Sequence, residues 1–360
     1  MTDLLFETAQ LVDIASVSRG EKLLADLVES RLGALGLFET VRIGDNIVAR
    51  THLGRDSRVA LAGHLDTVVP NGNAHAEIQG DVLYGVGSAD MKSGLAIMLD
   101  LAERAAEPVH DVSFIFYACE EIAREFSGLH AIAAADPDLL SADVAVLLEP
   151  TNALIEAGCQ GVVRVRVVLK GERAHSARPW TGVNAIHRLT GILARVAVFD
   201  ERSPSIDGCT YHETLQATSI EGGVAGNVIP DLVTLTLSHR FAPDRSVDEA
   251  LQRLVTYLEP ALDRALGDDI ELVDAAPAAP PSLDHPLLQS LVHASGARPV
   301  AKIGWTDVAF FFEHGIPAAN FGPGDPLVAH SAGEYVRRQE LARVHGALAE
   351  MLGISAAANT

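Results

Sequence analysis

Between about Arg58 and Pro150 the chain repeats one unit: a short apolar run, a loop, and a segment whose apolar residues recur at helical spacing. The runs RVALAGHLD (Arg58 to Asp66), VSFIFYACE (Val112 to Glu120) and ADVAVLLEP (Ala142 to Pro150) are too continuously apolar for a sheet with one wet face. Strands that alternate with helices pair in parallel, with the helices covering both faces. GLAIMLDLAERAA and SGLHAIAAA supply the helical spacing between them. The fold class predicted is α/β, a catalytic domain with a mostly parallel central sheet flanked by helices. An amphipathic helix opens the chain, and a second covers about Glu21 to Leu35. Leu23, Leu24, Leu27, Val28, Leu32 and Leu35 lie on one face of the second helix, and Gly36 ends it.

From about Val162 the period changes. VVRVRVVLKG alternates strictly, NAIHRLTGILARVAVF reads as a helix, TLQATSIEGG and LVTLTLSHRF alternate again, and SVDEALQRLVTYL is helical. This order describes a small antiparallel sheet with helices on one face, an α+β unit of its own. The proline-rich APAAPPSLDHP (Ala276 to Pro286) reads as a linker, after which the first domain's style resumes with PAANFGPG and a last helix from about Arg337. A chain of 360 residues suits two domains. The boundaries predicted are 1–161 with 283–360 for the catalytic domain and 162–282 for an inserted lid or dimerisation domain.

A formal net charge of -21 repels phosphates and anionic headgroups, so no nucleic-acid and no membrane partner is expected. Three cysteines, Cys119, Cys159 and Cys209, show no CxxC spacing, which suggests neither a disulfide framework nor a thiolate metal site. The opening residues carry Asp3 and Glu7 where a signal peptide needs basic residues, and no apolar stretch approaches the ~20 residues of a membrane span. A cytoplasmic location is expected.

The chemistry gathers where the apolar runs stop. His64 and Asp66 end one, two residues apart and so on the same side of the chain; Glu120 and Glu121 end another, and Glu149 ends a third. Functional groups in open α/β sheets collect beyond the carboxyl ends of the strands. Asp90 follows the glycine-rich YGVGS before a helix start, and His330 lies in the loop after NFGPGDPLV. Each element alone is a weak signal. Together they are nitrogen and oxygen donors without a thiolate, the set that binds two divalent metals sharing a carboxylate. Cys119 is read as a small buried apolar residue on the opposite face of its strand.

Through GHLDTV, SADMKSG, CEE, LEPT, GERAHSARPW, GNVIPD and GPGDPLVAH the whole chain resembles the two-zinc aminoacyl exopeptidases and acyl-amino-acid deacylases. CEE, EAGCQG, GGVAGNVIP and GWTD make it most similar to the branch that removes succinyl groups from diaminopimelate. YGVGS replaces that family's usual glycine-arginine-glycine, and EEIAREFSG replaces its glycine-rich stretch after the glutamates. The resemblance implies two divalent metal ions, zinc with cobalt as the alternative. His64, Asp90 and Glu149 would hold one, and Asp90, Glu121 and His330 the other. It further implies Glu120 as general base, Asp66 orienting His64, His175 donating to the oxyanion, and a cis peptide after Asp90. Arg178, Asn227, Arg240 and Thr306 would contact a small N-acyl diamino acid. The activity implied is hydrolysis of N-succinyl-L,L-2,6-diaminopimelate to succinate and L,L-diaminopimelate in lysine biosynthesis, by a homodimer paired through the inserted domain. Acetylornithine deacetylation, or another N-acyl-amino-acid deacylase or exopeptidase activity, is the alternative, and a non-catalytic binding protein on the same scaffold a more distant one.

Overall fold

The computed structural model describes residues 3–354. The chain divides into two compact units, Met1–Ala157 with Pro281–Val300 and Phe310–Thr360, and Gly158–Pro280 with Ala301–Ala309.

In the first unit eight strands form one sheet, in the order Glu39–Ile43, Asn46–Arg50, Asp111–Tyr117, Arg58–His64, Val144–Leu147, Ala318–Asn320, Glu156–Ala157, Val300–Ala301. The four central strands from Asp111–Tyr117 to Ala318–Asn320 run parallel, and antiparallel neighbours flank them. Every residue of Asp111–Tyr117 is buried, which is why that run reads as apolar without alternation. The core joins Leu61, Phe114 and Val146 of the strands to Leu95 and Met98 of helix Lys92–Arg104 and Leu348 of helix Arg338–Leu352. Gly94 is required for that packing. A Cβ there would sit 2.6 Å from the Leu148 carbonyl oxygen, so only glycine lets the helix approach the strand end that carries Glu149.

The opening helix Leu4–Val12 is capped by Asp3, whose carboxylate accepts from the Leu5 and Phe6 N–H groups. The second helix spans Lys22–Leu35, and Gly36 ends it in the left-handed conformation at φ 63°. Leu24, Val28 and Leu32 of its expected apolar face are buried, but Leu23 is 68% exposed. Helical rotation carries Leu23, next to Leu24 and five positions before Val28, off the buried stripe. The glycine-rich YGVGS run is packed: Val86 and Ser88 are buried, as is Ala89 after them.

In the second unit an antiparallel sheet runs in the order Thr214–Gly222, Leu232–Phe241, Gly161–Lys170, Asp269–Ala276. One face is covered by helices Ala185–Ala197 and Val247–Leu258: Val163, Val165, Leu235 and Leu237 pack with Leu189, Ile192, Leu254 and Leu258. The helix starts are encoded locally. Asn184 caps the first, and Ser246 and Glu249 form a capping box on the second. The other face carries Arg164 and Arg166, paired across strands with Asp274 and Glu271.

Candidate metal centre

Parallel pairing of Arg58–His64 with Asp111–Tyr117 and Val144–Leu147 places their carboxyl ends side by side, with His64 opposite Tyr117. The acids lie just past the strand ends. Cys119 adopts φ 60°, and the chain turns there so that the Glu120 and Glu121 N–H groups donate to Asp66, at 3.0 Å to Oδ1 and 3.1 Å to Oδ2. The Ser18 hydroxyl donates to the same carboxylate at 2.7 Å. Asp66 therefore holds the Glu120–Glu121 backbone directly. Its relation to His64 runs chiefly through the main chain: the imidazole Nδ1 is 2.9 Å from the Asp66 carbonyl oxygen and 3.6 Å from the carboxylate. That contact leaves Nε2 of His64 facing Asp90.

Asp90 is the centre of the cluster. Its Oδ1 lies 3.0 Å from His64 Nε2, and its Oδ2 lies 3.4 Å from His330 Nε2, so each carboxylate oxygen faces a different imidazole. His330 Nε2 is also 3.0 Å from Glu121. Donor atoms within 4.8 Å of one another form three groups: His64 with Asp90 and Glu149, Asp90 with Glu121 and His330, and His64 with Glu120 and Glu121. The Asp90–Met91 peptide is cis, as the resemblance implies.

The electrostatics are those of a cation site. Burial works against charge on His64, yet Asp66, Asp90 and Glu149 together hold its pKa well above the usual imidazole range. Asp90 and Glu121 push His330 up to about 10. Burial works to raise Asp90, and the two imidazoles outweigh it, so its carboxyl lies below the ordinary range. Converging carboxylates thus draw protons onto both histidines, and these are the protons that divalent metal ions would displace. Nitrogen and oxygen donors alone, around a carboxylate shared between two groups, fit two such ions.

Cys119 is half-buried rather than buried, because the turn at φ 60° takes it out of strand alternation. Its N–H and thiol both meet Glu21, and burial followed by that carboxylate pushes the thiol up to about 11. Sequence reading missed Glu334, which is 1% exposed and whose Oε1 accepts from the Ala89 and Asp90 N–H groups at 2.9 and 3.0 Å. Its only signal was an acid four residues after His330 in an otherwise apolar GEYV segment.

In the second unit His175, Arg178 and Asn227 come together and are exposed. His175 pairs with Val228, the Arg178 N–H donates to the His175 carbonyl at 2.8 Å, and the Ser176 N–H donates to the Asn227 carbonyl at 2.9 Å. Arg240 lies elsewhere. It falls within Leu232–Phe241, is half-buried, and forms no ion pair with a carboxylate among the described residues. Burial, then the neighbouring Arg164, lowers its pKa. Thr306 is buried, its hydroxyl without a hydrogen-bond partner among the described residues, and its carbonyl faces the Cys159 thiol at 3.7 Å. The eight residue steps from Leu232 to Arg240 span about 27 Å of strand, so one chain does not bring Arg240 to the His175 loop.

Residues 60–353 match the peptidase family described as M20/M25/M40. A Mycobacterium tuberculosis protein provisionally named a succinyl-diaminopimelate desuccinylase is 52% identical over 330 residues, 91% of this chain and 92% of the relative. The succinyl-diaminopimelate desuccinylase of Corynebacterium glutamicum is 44% identical over 351 residues, 96% of this chain and 95% of the relative. Among solved structures, the YXEP protein of Bacillus subtilis, a dinuclear metal binding peptidase from the M20 family, superposes with a TM-score of 0.68 at 18% identity, covering 98% of each chain.

Proposed function

We propose that this chain, which belongs to peptidase family M20/M25/M40 and is a hydrolase acting on an amide bond, cleaves N-succinyl-L,L-2,6-diaminopimelate to succinate and L,L-diaminopimelate, a step of lysine biosynthesis. The observation that carries the reading is Asp90, one half-buried carboxylate facing His64 through one oxygen and His330 through the other. The two names borne by relatives at 52% and 44% identity support the succinyl substrate.

In this reading His64, Asp90 and Glu149 hold one divalent ion, and Asp90, Glu121 and His330 the other, zinc or cobalt. When bound, such a pair lowers the pKa of a water and polarises the scissile carbonyl. Glu120 is the general base. Its carboxylate, within 4.8 Å of His64 and Glu121, takes the water's proton and passes it to the nitrogen of the leaving amine. Asp66 fixes the backbone from which Glu120 projects.

His175 donates to the carbonyl oxygen as negative charge develops there, and in this reading it does so in the active site of a second copy of the chain. Two observations support a homodimer with shared sites. Arg240 and Thr306 share the Cys159 end of their unit, about 27 Å of strand from His175, Arg178 and Asn227, too far for one small substrate to touch both sets within one chain. Of the two edge strands, Thr214–Gly222 carries the single charge Glu221, whereas Asp269–Ala276 is guarded by Asp269, Glu271 and Asp274. The edge with the fewer charges is the one suited to pairing across a two-fold axis. The three free cysteines suit a reducing compartment, the cytoplasm. Among the described residues no helix is long and apolar enough to cross a membrane.

The test is amine release from N-succinyl-L,L-diaminopimelate and from N-acetylornithine, each with and without added zinc. Zinc-dependent release from the succinyl substrate at the higher kcat/KM is the expected result. A preference for the acetyl substrate would replace the desuccinylase reading with a deacetylase.

A further inference from the structure

We infer that Glu334 is the positioning residue of this metal centre, holding Asp90 in the orientation in which its two oxygens face His64 and His330. The inference rests on the two-metal reading above and adds a residue to it. One oxygen, Oε1 of Glu334, accepts from the N–H of Ala89 at 2.9 Å and from the N–H of Asp90 itself at 3.0 Å. The side chain is 1% exposed, so water does not compete for these bonds. They fix the peptide plane on which the Asp90 side chain is mounted.

The same segment carries His330, four residues earlier, and it is tied to the Asp90 loop by its main chain as well. The Gly85 N–H donates to the Glu334 carbonyl at 3.2 Å, the Glu334 N–H to the Ser331 carbonyl at 3.3 Å, and Asn73 Nδ2 to the Ser331 carbonyl at 3.1 Å. Asn73 in turn accepts from the Val86 N–H at 2.8 Å. Two candidate ligands far apart in sequence are thereby mounted on one hydrogen-bonded frame, to which Glu334 supplies a buried carboxyl group. Lys92 is buried and places its ammonium on the Ile14 carbonyl at 2.6 Å. The Glu334 side chain therefore faces two N–H donors, and an alanine there would leave the Asp90 loop free to settle elsewhere.

Outer hydrogen-bonding partners of metal ligands typically matter by ~10–100-fold in metal affinity, and that is the effect expected. The experiment measures zinc affinity by chelator competition, and the visible absorption spectrum of the cobalt-loaded protein, for wild type, Glu334→Ala, Glu334→Asp and Glu334→Gln. Glu334→Ala is expected to weaken at least one zinc by ~10–100-fold and to alter the cobalt spectrum. Glu334→Gln keeps an acceptor oxygen at the Oε1 position and should restore most of the affinity, whereas Glu334→Met, measured alongside, fills the space without an acceptor and should not; full affinity in Glu334→Met would overturn the hydrogen-bonding role. If Glu334→Ala does not fold, Glu334→Asp carries the test, since it keeps a carboxyl group but withdraws the acceptor by one methylene and should lose affinity. Wild-type zinc affinity and an unchanged cobalt spectrum in a folded Glu334→Ala or Glu334→Asp protein would overturn the role of Glu334 alone. A wild-type protein that binds no divalent ion would overturn the two-metal reading beneath it.

Discussion

Asp66→Asn removes one negative charge and no volume, so its effect follows from the hydrogen bonds and the lost charge rather than from packing. The carboxylate faces donors from every side: the Glu120 N–H at Oδ1, and the Glu121 N–H and Ser18 hydroxyl at Oδ2. Burial works to raise its pKa, but the His64 imidazole and these donors outweigh it, so the group is a carboxylate at neutral pH. An amide turned with Nδ2 at the Oδ1 position meets the Glu120 N–H. Turned the other way, Nδ2 can donate to Ser18, whose hydroxyl rotates to accept, but it then meets the Glu121 N–H. Either orientation leaves one backbone donor without its acceptor. A hydrogen bond to a charged group contributes about 1.5–3 kcal/mol, and if the Glu120–Glu121 turn relaxes by that amount kcat/KM falls by roughly 10–150-fold. The loss should appear mainly in kcat, because a displaced general base acts on the chemical step. Steady-state kinetics on N-succinyl-L,L-diaminopimelate, with metal content measured by mass spectrometry, reads both quantities. Wild-type kcat/KM in the variant would refute the clamp. So would loss of both ions, which would place the effect at His64 instead.

Glu120→Gln is expected to keep its metal content and lose at least ~10²–10⁴-fold in turnover, since an amide fills the space without accepting a proton; kcat measured beside metal analysis checks this. Mixing Glu120→Ala with His175→Ala protein, each inactive alone, should restore roughly a quarter of wild-type activity once subunits exchange, because half the dimers are mixed and each holds one complete site. No recovery after demonstrated exchange would confine His175 to its own chain. Asp111 tests the fold rather than the site: burial works to raise its carboxyl, but the N–H groups of Leu53 and Arg55 and the Thr51 hydroxyl hold it down to about 2. With a folded pKa below the unfolded value near 4, its charge contributes about 2.5 kcal/mol above that pH, lost as pH falls toward 2. Urea unfolding of wild type and Asp111→Asn should therefore differ at pH 7 and converge toward pH 2.

What the sequence made legible was whatever periodicity and strand ends encode. The run from Arg58 to Asp66 could only be a strand buried on both faces, and its end had to carry His64 to the same edge as Glu121 and Glu149. The strict alternation after Val162 likewise required a sheet with one covered face. Interactions that depend on where a loop returns were not legible. Leu23 has the composition of the buried stripe but the wrong angle, and Cys119 leaves strand alternation because φ turns positive there. Glu334 and the Asp66 clamp are contacts between segments 244 and 54 residues apart in sequence, and no local pattern announces them. The distance between Arg240 and the His175 loop also needed the sheet register before it could be seen.

The central claim is that Asp90 is shared between two metal ions on which amide hydrolysis depends. Titration of chelator-treated protein with zinc, following calorimetric stoichiometry and succinate release from N-succinyl-L,L-diaminopimelate in parallel, addresses it most directly. The account predicts two ions bound per chain in the wild type, activity rising with occupancy, and loss of both ions' tight binding in Asp90→Ala, because that carboxylate belongs to both ligand groups. Undiminished hydrolysis by the metal-free protein, or two ions bound as tightly by Asp90→Ala as by the wild type, would contradict it.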